Sequence, residues 1–243
     1  MPGEQNGFGT GALRPLSALL LAIGLAAAPA AAADRGFTIT SFDRIRVEGP
    51  FVVTVATGRP VSARASGDGP ALDRIRLRVE GRTLLVRGDA SWGGFPDARR
   101  GPVTLALSTP ALDTAILLGS GSLAIDRMKA PRVIVTVEGA GRVAVDRIEA
   151  DNLSLAIAGS GRIEAAGTAR VGAAVARGAA EIAAPGLMVT DLNLTSESAG
   201  AVAMAAGRSA RVVASGLGPV TVAGTAACEV RQTGTGPLRC GSK

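Results

Sequence analysis

A glycine turn returns along the second half of this chain with a nearly fixed beat. Aligned on the apolar residue after each turn, the segments read GSGSL to Leu123, GAGRV to Val143, GSGRI to Ile163, GAAEI to Ile182, SAGAV to Val202, GLGPV to Val220 and GTGPL to Leu238, at spacings of 20, 20, 19, 20, 18 and 18 residues. A phosphate-cradling glycine loop occurs once, after a strand and before a helix. Recurrence at a constant period instead marks repeats that stack.

The residues between the turns alternate. In RVAVD, Val143 and Val145 share a face, and in NLSLAI so do Leu153, Leu155 and Ile157; side chains on alternate faces are the period of a strand. Two strands per coil of 18–20 residues predict an all-β fold, a flattened β-solenoid whose equivalent strands lie about 4.8 Å apart. The corners are then Gly119 and Gly121, Gly139 and Gly141, Gly159 and Gly161, Gly178, Gly200, Gly216 and Gly218, and Gly234 and Gly236. Stacked corners demand positive φ and leave no room for a Cβ. One glycine is missing from RGAA at 177–180 and from SAG at 198–200, so looser corners are expected there.

Beyond the amino-terminal leader the aromatics are Phe37, Phe42, Phe51, Trp92 and Phe95, so the repeats have only Val, Ile, Leu and Ala to fill their core. At roughly 1.5–3 kcal/mol for each large aliphatic side chain buried, such columns suffice. The runs FDRIRVEGPFVVTV, LDRIRLRVEGRTLLVRG and VTLALSTPALDTAILL also alternate. Residues 34–118 therefore read as a β-meander or irregular coils that cap the amino-terminal end of the stack, continuous with the repeats of 119–243. The loop at 88–101, GDASWGGFPDARRG, sets Trp92 and Phe95 beside Arg99 and Arg100. That grouping offers an aromatic platform with positive charge for an acidic glycan, or a plug for the end of the solenoid.

Residues 1–33 carry a charged start ending at Arg14, the apolar stretch PLSALLLAIGLAAAPA and a small-residue zone before Asp34, the pattern of a cleaved signal peptide. A membrane anchor needs roughly 20 apolar residues, and no later stretch reads as a span. The expected location is the periplasm, the outer surface or the medium. The net charge of +6 comes almost wholly from Arg, since Lys occurs only at 129 and 243. These arginines are scattered singly between apolar residues, which disfavours a nucleic-acid partner and favours attraction to anionic polysaccharide or another envelope component. Cys228 and Cys240 are the only cysteines, and in an exported protein they favour a disulfide worth about 3 kcal/mol. The alternative is a pair of buried free thiols.

With no His and no Tyr, the chain excludes a Ser-His-Asp triad, a Cys-His pair and a His-ligated metal. No cofactor motif is present. An Asp-Arg step recurs at Asp43-Arg44, Asp73-Arg74, Asp126-Arg127 and Asp146-Arg147. In the repeats, Asp126 and Asp146 should stack about 5 Å apart at the second corner, a separation that suits a retaining carboxylate pair. The same stacking predicts a corner ladder in which unlike charges neutralise one another. Asp126, Arg127, Asp146 and Arg147 join Trp92, Phe95, Arg99 and Arg100 as candidate binding residues.

The openings FDRIRVEGPFVVTV, LRVEGRTLLVRG and VTLALSTPALDTAILLGSGSL, followed by GSG-type turns, resemble the head GIN domain family of bacterial auto-transporter adhesins, a domain of unknown function, over about residues 37–238. The resemblance implies a right-handed β-helix similar to pectin-lyase-like proteins without their catalytic residues, and a role in adhesion or glycan binding at the cell surface. GAG, GLG, GTG and RGAA replace several GSG turns here. The expected function is thus a non-catalytic envelope or surface module; the alternatives are a polysaccharide-acting β-helix enzyme that uses Asp and Glu, or a purely structural envelope protein.

Overall fold

Alternation becomes strand throughout the computed structural model, which describes residues 33–88 and 103–242. Almost all of the segment read as a signal peptide, and Trp92, Phe95, Arg99 and Arg100, lie outside the described residues. The early elements are short: β1 (Ala33–Gly36), β2 (Arg44–Glu48), β3 (Val52–Thr57), β4 (Ser62–Gly67), the one-turn helix α1 (Gly69–Leu72), β5 (Ile75–Glu80), β6 (Thr83–Gly88), β7 (Thr104–Thr109), β8 (Thr114–Gly119) and β9 (Ser122–Ile125). Long bent strands follow: β10 (Met128–Gly139), β11 (Arg142–Gly159), β12 (Arg162–Gly178), β13 (Glu181–Ser198) and β14 (Val202–Ala214). The last winding closes with β15 (Val220–Ala223), β16 (Ala227–Gln232) and β17 (Leu238–Ser242).

The strands stack in parallel as a β-solenoid. The first ladder runs β7, β3, β9, the leading halves of β11 to β14, then β15 and β17. The second runs β6, β2, β8, the trailing halves of β10 to β14, then β16. A third, short ladder lines the far corner, where Met128 pairs with Ile148, Ile148 with Gly167 and Gly167 with Leu187. Two strands per coil thus hold, with this corner segment added between them.

The core sits between the ladders as columns one residue wide. Leu123, Val143, Ile163, Ile182, Val202 and Val220 follow one another in register and are buried, with Leu238 partly covered at the end. Facing them, Ala115, Val135, Leu155, Ala174, Leu194, Val212 and Val230 make a second column. Within it Ala174 sits between Leu155 and Leu194, a small residue between two large ones that lets neighbouring rungs interdigitate.

The two glycines of a corner serve different needs. Gly159 has φ +116 and a Cβ there would lie 2.4 Å from the carbonyl oxygen of Gly139; Gly161 lacks a positive φ, yet its Cβ would come within 2.5 Å of the oxygen of Gly141. The looser corners expected at 177–180 and 198–200 are not found. Ala179 N donates to Gly159 O at 2.8 Å and Ala199 N to Gly178 O at 2.7 Å, as tight as Ser160 N to Gly139 O at 2.9 Å. Ser198 compensates for the missing glycine: its buried hydroxyl donates to Ala180 O at 2.7 Å and accepts from Gly200 N at 2.9 Å.

Order along the stack departs from order along the chain. The winding β2–β3 lies between β6–β7 on one side and β8–β9 on the other, parallel to both. Antiparallel strands finish that end, with β5 on β6, β4 on β7 and β1 on β4. At the opposite end Cys228 and Cys240 form a disulfide with a Cα–Cα distance of 6.2 Å. They stack on Ala210 and Val222, so the bridge spans the core at its last winding. No helix among the described residues is long and apolar enough to cross a membrane.

Candidate functional site

The pleat that turns apolar residues inward dictates what the second ladder shows to solvent. In β2, Ile45 and Val47 point inward, which leaves Arg44 and Arg46 outside; in β6, Leu84 and Val86 are inside while Leu85 and Arg87 face out. By the same alternation β8 presents Thr114 and Ile116, and β10 presents Arg132 and Ile134. Register then sets Arg46 between Leu85 and Ile116, and Thr114 between Arg44 and Ile134.

The result is a groove of about 630 Å³, with Leu85, Ile116 and Ile134 along its floor and Arg44, Arg46, Arg87 and Arg132 among its walls. That is within the usual size for a small-ligand cleft, roughly 300–1,000 Å³. Glu48 holds two of the arginines, accepting from Arg46 Nε at 2.6 Å and standing 2.9 Å from Arg87 Nε. Arg44 Nε lies 3.9 Å from Asp113 and 4.0 Å from Asp43. Arg132 has no ion pair among the described residues. Exposed pairs like these contribute at most about 1 kcal/mol each; their effect is to orient the guanidiniums, whose planar donor forks suit carboxylate, sulfate or phosphate groups.

A second groove, about 610 Å³, lies on the outer face of the first ladder, floored by Thr54, Ala106 and Ala124 and edged by Arg59, Arg64, Asp126 and Asp146. Asp126 and Asp146 therefore share one groove. The expected charge ladder of unlike neighbours is not formed. Parallel, in-register stacking puts the two Asp-Arg steps at equivalent places, like charge over like, and none of the four side chains makes an ion pair among the described residues. Asp126 instead reaches back to the first winding: its carboxylate accepts from Thr57 N at 2.9 Å, Thr57 Oγ1 at 3.0 Å and Arg127 N at 2.6 Å. Asp146 has no hydrogen bond there.

The pairing that does run from winding to winding uses other residues. Lys129 Nζ is 2.8 Å from Glu149, and this bond, backed by the charge itself, holds the Glu149 carboxyl below its ordinary range. Arg162 contacts Glu164 on its own strand and Glu181 on the next winding, each at 2.6 Å, and the bond it donates to Glu164 raises its already high pKa. Arg208 and Ser209 donate to Asp191, which lowers its pKa, with the Arg208 bond the larger cause. No cluster of three or more potential metal ligands exists among the described residues.

Of these arginines the sequence points only to Arg44, within the Asp43-Arg44 step, and Arg46, Arg87 and Arg132 carry no motif. Their local signal is alternation with apolar residues in RIRVE and TLLVRG. What brings them together is the insertion of β2 beside β6, which no local pattern announces.

Parallel windings stacked on glycine corners define a β-solenoid. The chain belongs to the family described as "Putative auto-transporter adhesin, head GIN domain", whose model matches residues 41–226. Its fold is similar to that of a "putative adhesin" from Bacteroides fragilis, with TM-score 0.78 at 18% identity over 86% of this chain and 97% of that one. A "putative adhesin" from Parabacteroides merdae gives TM-score 0.67 at 16% identity, over 87% of this chain and 96% of the other. A "Putative lipid binding protein" from Parabacteroides distasonis gives 0.67 at 21% identity, over 87% and 97%. No curated protein matches the chain.

Proposed function

We propose that this protein is an exported, non-catalytic module of the cell envelope that binds anionic polysaccharide, or another anionic envelope component, in the groove of Arg44, Arg46, Arg87 and Arg132. The observation that carries this reading is the convergence of these guanidiniums from β2, β6 and β10 over an aliphatic floor. Cation forks above apolar side chains suit the acidic groups and the hydrophobic ring faces of a uronic-acid or sulfated sugar. The adhesin-like fold and the net charge of +6 accord with such a partner. A role in catalysis for Asp126 is disfavoured by the donors that already occupy its carboxylate.

The test compares purified protein on immobilised polygalacturonate and on neutral dextran. At about 20 mM salt binding to the acidic polymer is expected to exceed the neutral control, and to fall as the screening length shrinks to roughly 8 Å at physiological ionic strength. The pair of changes Arg44→Ser and Arg132→Ser should weaken it about tenfold or more, with the melting temperature retained. Equal retention on both polymers, or no effect of the two changes, would refute the assignment. Export is checked separately: protein recovered from cells should begin at Asp34.

A further inference from the structure

Among the described residues the two ends of the stack are built differently. Antiparallel β5, β4 and β1 lie across the amino-terminal windings. At the carboxy-terminal end, among the described residues, β16 pairs only with β14 and β17 only with β15. Each therefore offers one edge of unpaired backbone donors and acceptors, a template for another strand. The core is also open there. Val230 continues the inward column of Leu155, Ala174, Leu194 and Val212, yet it is 42% exposed, with no winding among the described residues beyond it.

We infer that this end is a dimerisation surface, on which a second copy of the chain is seated by a two-fold axis so that β16 pairs antiparallel with β16 of its partner. A two-fold axis along the sheet normal keeps each ladder on its own side, so the β17 edges meet in the same operation. The sequence of β16 is self-complementary in one register. Val230 opposite the partner's Val230 sets Glu229 against the partner's Arg231 and Arg231 against the partner's Glu229. Antiparallel pairing that keeps inward residues inward can shift only by two in pairing register. The neighbouring registers place Glu229 opposite the partner's Glu229, or Arg231 opposite the partner's Arg231, and like charges directly opposite are destabilising.

The charge pattern within the chain points the same way. Arg211 Nη2 donates to Glu229 at 2.8 Å across the last rung, whereas Arg231 has no partner among the described residues. Its natural counterpart is Glu229 of the partner subunit, which extends the rung-to-rung series through the interface. The same contact covers Val230 and both open edges. Such an isologous arrangement closes on itself and does not propagate into a fibre.

The measurement is sedimentation equilibrium on the purified, oxidised protein across the micromolar range, with a melting curve for each variant to establish that it is folded. The wild type should be a reversible dimer. Glu229→Arg and Arg231→Glu should each weaken it about tenfold or more, because every single change disturbs two symmetry-related pairs. The double change should restore association, since it preserves complementarity with the signs exchanged. A wild type that is monomeric throughout, or a folded double variant no more associated than the single ones, would overturn the inference. Loss of polysaccharide binding alone bears only on the arginine groove.

Discussion

At the residue scale, Gly159 is under a geometric demand that its neighbours on the strand do not face. Gly159 combines φ +116 with a carbonyl oxygen 2.4 Å from where a Cβ would stand. Gly159→Val should destabilise the fold by about 3 kcal/mol or more, as backbone strain and a clash with the neighbouring winding add. Ala158→Val, one position earlier on an exposed outward site, should change stability by no more than about 0.5 kcal/mol. Melting temperatures of the two variants decide the point. Asp191 gives a different handle. Arg208 and Ser209 hold its carboxyl below the usual range, so its contribution is present above the unfolded carboxylate pKa of about 4 and is lost as pH falls through the folded value. Thermal melts of wild type and Asp191→Asn should therefore differ at neutral pH and converge on acidification; a constant gap down to about pH 2 would contradict the linkage.

At the scale of the element, what repeats in the chain was readable and what joins distant segments was not. Leu123, Val143 and Ile163 stack because each follows a corner of the same construction, and that construction is written locally in the glycine turn. The short corner ladder through Ile148 and Gly167 leaves a fainter trace, since it interrupts alternation by only a residue or two, at the shifts after Val145 and Glu164. Ser198 shows why counting glycines misjudges a corner: a hydroxyl that bonds to both sides of the turn replaces conformational freedom with hydrogen bonds. The carboxy-terminal disulfide is the element-scale counterpart. Reduction should remove about 3 kcal/mol from the last winding. Hydrogen exchange is expected to quicken first in β15 to β17 while the amides around Val143 and Ile163 stay protected. Uniform loss of protection along the stack would show that the bridge supports the whole core instead of its end.

For the molecule as a whole, the arginine groove depends on threading. β2 meets β6 and β8, its neighbours on the two sides, through pairings such as Arg46 with Leu85 and with Ile116. Alternating runs of this kind are interchangeable as far as local propensity goes, and nothing within RIRVE names its partners. The fold class was accordingly legible and the candidate site was not. The Asp-Arg steps stood out by recurrence, but recurrence in a parallel stack brings like beside like, and Asp126 took its contacts from Thr57 in another winding.

The wedged position of β2–β3 has a further consequence for how the chain comes to rest. Synthesis delivers residues 44–57 early, but one of the surfaces they lean on arrives only with β7 and the other with β8 and β9. Residues 44–57 thus wait for later strands: both flanks stay open until β6 and β7 have been made, and one of them until residue 125 has appeared. A nascent chain of this kind passes through a vulnerable interval set by its own length, during which a holding factor has most to protect and a protease most to cut.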